Sequence, residues 1–166
     1  FDSINTGKVI ECAIEQGMNP RMLAMAMQAH LAPRMLKVAG CVSKAIEVSR
    51  SILAGCRFSI GFSRSVMYQI LEEVHSKMLP RTSYRLFVDD LSQYTRARKK
   101  EEVEIETIRA TRIVKEAMEK EGLKISGKST LVCSDKELER KIRRGLKAEG
   151  IDLEVKEVVK DLGVDA

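Results

Sequence analysis

The chain contains no tryptophan, and aromatic residues make up only 4% of its 166 positions. A core must therefore be built from aliphatic side chains and methionine, the adaptable gap-filler, of which there are eight. Long apolar runs are lacking too. None approaches the ~20 residues that a bilayer-crossing helix needs, so no membrane span is expected. The four cysteines, Cys12, Cys41, Cys56 and Cys133, form no Cys-x-x-Cys pair and no zinc-type spacing. They are expected to be reduced, mostly buried thiols in an intracellular protein, with cytoplasm and nucleus not distinguished. There are only three prolines, and no low-complexity segment or repeat interrupts the chain.

What is present is a globular composition, 44% apolar and 32% charged, in a chain long enough to bury a core. The charge is unevenly placed. Residues 1–100 carry 15 Lys and Arg against 8 Asp and Glu, whereas residues 101–166 carry 14 against 16. A basic first part suits a polyanionic partner. No signal-peptide pattern opens the sequence. It begins on Phe1 and stops at Gly163-Val164-Asp165-Ala166, within a strand-like run. Both features lead to the expectation of a piece of a longer protein.

Helix and strand signals alternate. Thr6 to Gln16 has Val9, Ile10, Ala13 and Ile14 at helical spacing, with Gly17 as its stop. Pro20 opens a second helix that closes before Pro33. Short β-like pieces, Met35 to Val38 and Ala45 to Val48, lie around Gly40. A small-residue loop, Ser51 to Gly61, leads to a helix with Val66, Met67, Ile70, Leu71, Val74 and Met78 on one face. A helix over 101–121 carries the stripe Val103, Thr107, Ala110, Val114 and Ala117, which suits packing on a sheet. Strands are expected over 123–126, 130–133 and 153–159. Ser134 and Glu137 form a capping-box pattern ahead of a helix with Leu138, Ile142 and Leu146. The fold class read from this order is α+β, a sheet with helices on one face.

Chemistry concentrates at Phe87-Val88-Asp89-Asp90. Two carboxylates end the apolar run Tyr84 to Val88, and Leu91 to Thr95 follows as a second extended stretch. Such a pair between two strands reads as a hairpin turn. Acids projecting there can hold a divalent cation, since Mg²⁺ prefers one or two carboxylates plus substrate phosphates. A solvated surface turn is the other meaning of Asp-Asp. Gly122 to Ser129 satisfies the P-loop pattern G-x-x-x-x-G-K-[ST]. That loop needs a strand before it and a helix after it, whereas here a helix precedes and a strand-like run follows. The match is taken as accidental. Arg96 to Lys100 is a basic run at a helix start, and His30 and His75 have no partner at ligand spacing and are assigned structural roles.

In order, these features resemble the palm of a reverse transcriptase, most like those of non-LTR retrotransposons. Phe1-Asp2-Ser3-Ile4-Asn5 resembles the tail of the first motif. Arg50 to Ser59 resembles the second, R-G-x-x-Q-G-C-x-x-S-P. Phe87 to Asp90 is similar to Tyr/Phe-x-Asp-Asp. Gly122 to Ser126 with Lys128-Ser129 resembles G-L-x-[IL]-[NS]-x-x-K-[ST], and Lys160 to Val164 resembles [KR]-x-L-G. Departures are Ala54 in place of the usual Gln and Ile60 where Pro is common; the leading Asp of the first motif would precede Phe1.

The resemblance implies a polymerase palm-like antiparallel sheet with helices packed on one face, residues 1–166 forming a partial domain without most of the fingers or the thumb. It implies an RNA-directed DNA polymerase that adds deoxynucleotides to a DNA primer on an RNA template, inactive as an isolated fragment. Asp89 and Asp90 become catalytic metal ligands in a two-Mg²⁺ site, Asp89 the better candidate. Phe1 becomes a steric gate beneath the sugar, Gly55 a point of close backbone approach, and Lys128 a positive charge near the triphosphate. Asp2 is left as a helix cap. The competing expectations are a non-catalytic nucleic-acid-binding remnant of a mobile element and an RNA-dependent RNA polymerase palm.

Overall fold

Side-chain oxygens at two asparagines start the fold. Asn5 Oδ1 accepts the Gly7 and Lys8 backbone N–H groups at 2.8 and 3.3 Å, and Asn19 Oδ1 accepts those of Arg21 and Met22. Each satisfies donors that the first helical turn leaves orphaned. The first cap opens α1 (Thr6–Glu15) and the second opens α2 (Pro20–Leu31), with Pro20 in the first turn. The cap of α1 is thus Asn5; Asp2, given that role from the sequence, lies outside the described residues. The structure, a computed structural model, describes residues 4–48, 50–53, 55–77, 79–88, 90–157, 160–161 and 164–165, the last four as backbone only.

The order continues β1 (Lys37–Val38), β2 (Cys41–Val42), α3 (Ser59–Ser76), β3 (Thr82–Phe87), β4 (Asp90–Thr95) and α4 (Lys100–Lys120). It closes with β5 (Thr130–Leu131), α5 (Lys136–Ala148), β6 (Glu154–Val155), β7 (Lys160–Asp161) and β8 (Val164–Asp165). The chain is α+β, as the alternating signals imply. Its described strands pair two by two: β1 with β2, β3 with β4, β5 with β6, and β7 with β8. Three of these pairs join elements that are consecutive in the sequence. The fourth, β5 with β6, is parallel, because α5 carries the chain back before it pairs.

Two compact units are formed. The first comprises residues 1–72, 87–90 and 121–123, the second residues 73–86, 91–120 and 124–166. In the first, α1 buries Val9, Cys12 and Ala13, α2 buries Leu23, Ala26 and Met27, and α3 buries Phe62, Val66, Met67 and Ile70. Gln16 Nε2 donates to the Ser65 carbonyl at 2.8 Å, tying the end of α1 to α3. The β1–β2 turn, Ala39-Gly40, has positive φ at both positions, 48° and 81°. That is the condition for the tight hairpin turn whose twist matches the strands. The second β-like piece read from sequence, around Ile46, is placed differently. It pairs with the chain ahead of β1 at an isolated antiparallel bridge, Arg34 with Ile46.

In the second unit α5 supplies Leu138, Ile142 and Leu146 to a core with Ile151. Val103, Ile108, Ile125, Leu131, Cys133 and Leu153 pack against that core. The helix is capped by Asp135, whose Oδ1 accepts the Leu138 N–H at 2.8 Å, so the capping residue is one later than Ser134. Lys100 Nζ also holds the other oxygen of the same carboxylate, at 2.6 Å. The stripe of α4 is buried at Thr107, Ala110, Val114 and Ala117. Its neighbours include the β3–β4 hairpin, through Gln93 Nε2 to the Thr107 carbonyl, and α5, where Gly145 faces Ile108. Residues 123–126 form no strand.

Candidate functional site

Strand β3 ends at Phe87 and β4 begins at Asp90, so Asp90 belongs to the second strand and not to the turn that the sequence suggests at 89–90. Asp89 itself lies outside the described residues. Val88 adopts φ +59°, a region that a β-branched side chain enters at a cost of about 1–2 kcal/mol. Its carbonyl accepts the hydroxyl of the buried Ser63 of α3 at 3.4 Å. Asp90 is exposed at the first position of β4. Among the described residues no group bonds its carboxylate, so both oxygens are available to a hard cation. No cluster of three His, Cys, Asp or Glu residues suited to a metal is formed among the described residues.

The second element is the loop from Arg50 to Phe58. Asn5 pairs with Arg50 in an antiparallel bridge, and the Ser51 N–H donates to the Ile4 carbonyl at 2.9 Å. Residues 4–5 and 50–51 therefore run side by side. Ile52 is buried. The Leu53 carbonyl accepts the Cys56 N–H at 3.2 Å and also the hydroxyl of buried Ser59. Gly55 stands at φ +81°, and a Cβ there would meet open space. Glycine is needed for its backbone conformation, and the open side leaves the main chain approachable. Ala54 lies outside the described residues.

Phe1, the expected gate, is also outside them. Lys128 is exposed in a turn of the second unit, where the Ser129 N–H donates to the Ser126 carbonyl at 2.9 Å and the Lys128 N–H to Ser126 Oγ at 3.2 Å. Of the residues singled out from sequence, Gly55 and Asp90 belong to the first unit and Lys128 to the second. The P-loop pattern around Lys128 follows α4 and precedes β5. That is the reverse of the order a phosphate cradle requires. Lys100, in the basic run, is committed to Asp135. In the closing motif, β7 pairs antiparallel with β8, Lys160 opposite Asp165, and Leu162-Gly163 lie outside the described residues.

One residue is given more to do by the structure than by its spacing. His30 is buried in α2 and its Nδ1 accepts the Leu53 N–H at 2.9 Å, so α2 holds the second-motif loop. Burial, and secondarily the Arg34 charge, lower the pKa of this ring from its ordinary value. Elsewhere, burial and the Glu106 carboxylate push Tyr84 in β3 up to about 12, keeping its phenol protonated. No helix among the described residues is long and apolar enough to cross a membrane. Comparison with protein-family models, curated proteins and solved structures found no match to the chain.

Proposed function

We propose that the chain is part of the palm of an RNA-directed DNA polymerase, of the reverse transcriptase kind. The observation that carries this reading is the order of five motifs along the sequence, with Asp90 opening β4 of the β3–β4 pair. The pairing of Ile4-Asn5 with Arg50-Ser51 supports it, since it sets the first and second motifs next to each other. The exposed, unclaimed carboxylate of Asp90 supports it as well, because a metal ligand must have free oxygens.

In this reading Asp89 and Asp90 hold Mg²⁺, and the metal supplies charge stabilisation to the entering and leaving oxygens of phosphoryl transfer. Gly55 lets the backbone of the second loop approach template or nucleotide. Phe1 blocks a 2′-hydroxyl, which selects deoxynucleotides. Lys128 offers a positive charge to the triphosphate. The basic excess of residues 1–100 attracts the RNA template and DNA primer.

Two measurements test this. Mn²⁺, as a probe for the Mg²⁺ site, should broaden the amide signals of 86–92 in the chain, and the paired substitution Asp89→Asn, Asp90→Asn should abolish the effect. Primer extension on an RNA template, in a chain extended upstream to include the leading acid that the resemblance expects, should fall at least about 10³-fold in the same variant. Equal incorporation by both forms overturns the catalytic assignment. Salt-dependent binding of nucleic acid that survives the double substitution, without extension, identifies a non-catalytic binding module.

A further inference from the structure

His30 lies in the last turn of α2, 1% exposed, with its ring edge-on to Phe62 at 5.1 Å between centroids. Its Nδ1 accepts a backbone N–H. An accepting Nδ1 places the ring proton on Nε2, since a neutral imidazole has one donor and one acceptor. Among the described residues Nε2 has no hydrogen-bond partner, so none of them exerts an opposing demand on the tautomer. The donor, Leu53, is the residue on which the loop turns. Its carbonyl takes two further bonds, from Cys56 and Ser59, immediately before α3 begins. Gly55 lies between Leu53 and the first of those partners, Cys56. A single ring nitrogen thus fixes the inner side of a loop whose outer side is exposed at Gly55 and Arg57.

We infer that His30 is a positioning residue for the 51–58 loop, holding its conformation through a neutral ring that accepts the Leu53 amide. A proton added to Nδ1 converts the acceptor into a donor facing a donor, and the bond is lost. Among the described residues Arg34, just beyond α2, is the charged group acting on the ring. The groups facing it from α3 and from the loop are Phe62 and the Leu53 amide, both uncharged. The loop's order therefore depends on pH, being held above the ring's titration and released below it. The ligand that the loop serves, nucleic acid, rests on the reading proposed above; the hold itself does not.

Amide exchange and ring-nitrogen NMR on the full 166-residue chain test the inference without any nucleic acid. Above neutrality His30 should give the Nε2–H tautomer pattern, with Leu53 protected. As pH falls through the His30 titration, protection of Leu53, corrected for intrinsic exchange, should drop by about tenfold, the worth of one hydrogen bond. His30→Asn, whose side-chain carbonyl can accept, should keep part of the protection and lose the pH step. His30→Phe should keep the packing on Phe62 and lose the protection at every pH. An Nδ1–H tautomer, or Leu53 protection that ignores the titration in the wild-type chain, overturns the inference. That outcome leaves the Mn²⁺ result at the acid turn untouched, so the two readings fail separately.

Discussion

Glu106 in α4 accepts the hydroxyl of Thr82, the first residue of β3, at 3.1 Å. The same oxygen, Oε1, accepts the Arg81 N–H at 2.7 Å. A buried carboxylate thus seats the base of the acid hairpin on the longest helix, 24 residues away in sequence. The Arg81 guanidinium stands near the other oxygen at 3.7 Å but is half exposed, and an ion pair of that kind contributes little. The hydrogen bonds matter more, because a buried donor left without an acceptor costs about 1–3 kcal/mol.

Glu106→Gln keeps an oxygen that can accept both donors and should change unfolding free energy by less than about 1 kcal/mol. Glu106→Leu strands the Arg81 N–H and leaves the Thr82 hydroxyl only its bond with Thr95 Oγ1, and should lose about 1–3 kcal/mol in urea titration. Equal stability of the two variants would show that the carboxylate is not what seats the hairpin.

Gly145 in α5 has Ile108 of α4 directly over it. A Cβ at that position would lie far inside contact distance of Ile108 Cδ1 and 3.1 Å from its Cγ1. Alanine ordinarily gains up to about 1 kcal/mol over glycine within a helix. Here overpacking should outweigh that gain, so Gly145→Ala should lower stability by about 1 kcal/mol net. Adding Ile108→Val removes the clashing methyl group and should recover the loss. A double-mutant cycle measures this coupling, which vanishes if the two helices adjust freely.

Val88 sits in the left-handed region at the acid turn, which asparagine tolerates and valine does not. Val88→Asn should therefore raise the melting temperature, by the equivalent of about 0.5–1 kcal/mol. No change or a decrease would mean that the valine side chain contributes packing that outweighs its backbone strain.

Two groups give stability a pH dependence in separate windows. The Lys100 ammonium, and next the Leu138 N–H, hold the Asp135 carboxyl below its ordinary value of 3.8. A depressed carboxyl contributes stability that is present above 3.8 and lost as pH falls from there through the lower folded value. His30 is lowered from 6.5, chiefly by burial. The unfolded chain takes up that proton first, so stability declines as pH falls from about 6.5 toward the folded value. Melting temperature followed from pH 8 to 2 should show both declines. Asp135→Asn should flatten the lower one, and His30→Phe the upper.

Asn5→Ala removes the acceptor for Gly7 and Lys8 and should cost about 1 kcal/mol by losing the cap of α1. Asn5→Asp should retain it. A chemical denaturation series over the three forms checks both statements.

Local signals were readable wherever their cause is local. The spacing of Leu138, Ile142 and Leu146 marks α5, and that of Val66, Met67 and Ile70 marks α3, because a helix repeats every 3.6 residues whatever surrounds it. Gly17 and Gly150 stop α1 and α5 at positive φ, 79° and 71°, as glycine after a helical run implies. The pairing of β3 with β4 follows from two extended stretches around a polar pair, whereas Asp90 opens the second strand instead of standing in the turn. Ser134 fits the capping-box pattern, yet Asp135, a residue type that caps equally well, takes the role, and Lys100, 35 positions earlier, also holds its carboxylate.

The amino-acid order alone determined the helical periods, the two extended stretches on either side of Asp89-Asp90, and the run of motifs that suggests a polymerase, since each depends on neighbours within a few positions. Folding in three dimensions decided that β5 and β6 align in parallel, that Glu106 supports the hairpin base, and that His30 grips Leu53. Those pairings join residues 23 to 25 positions apart, and only burial, which removes competing water, makes their hydrogen bonds decisive.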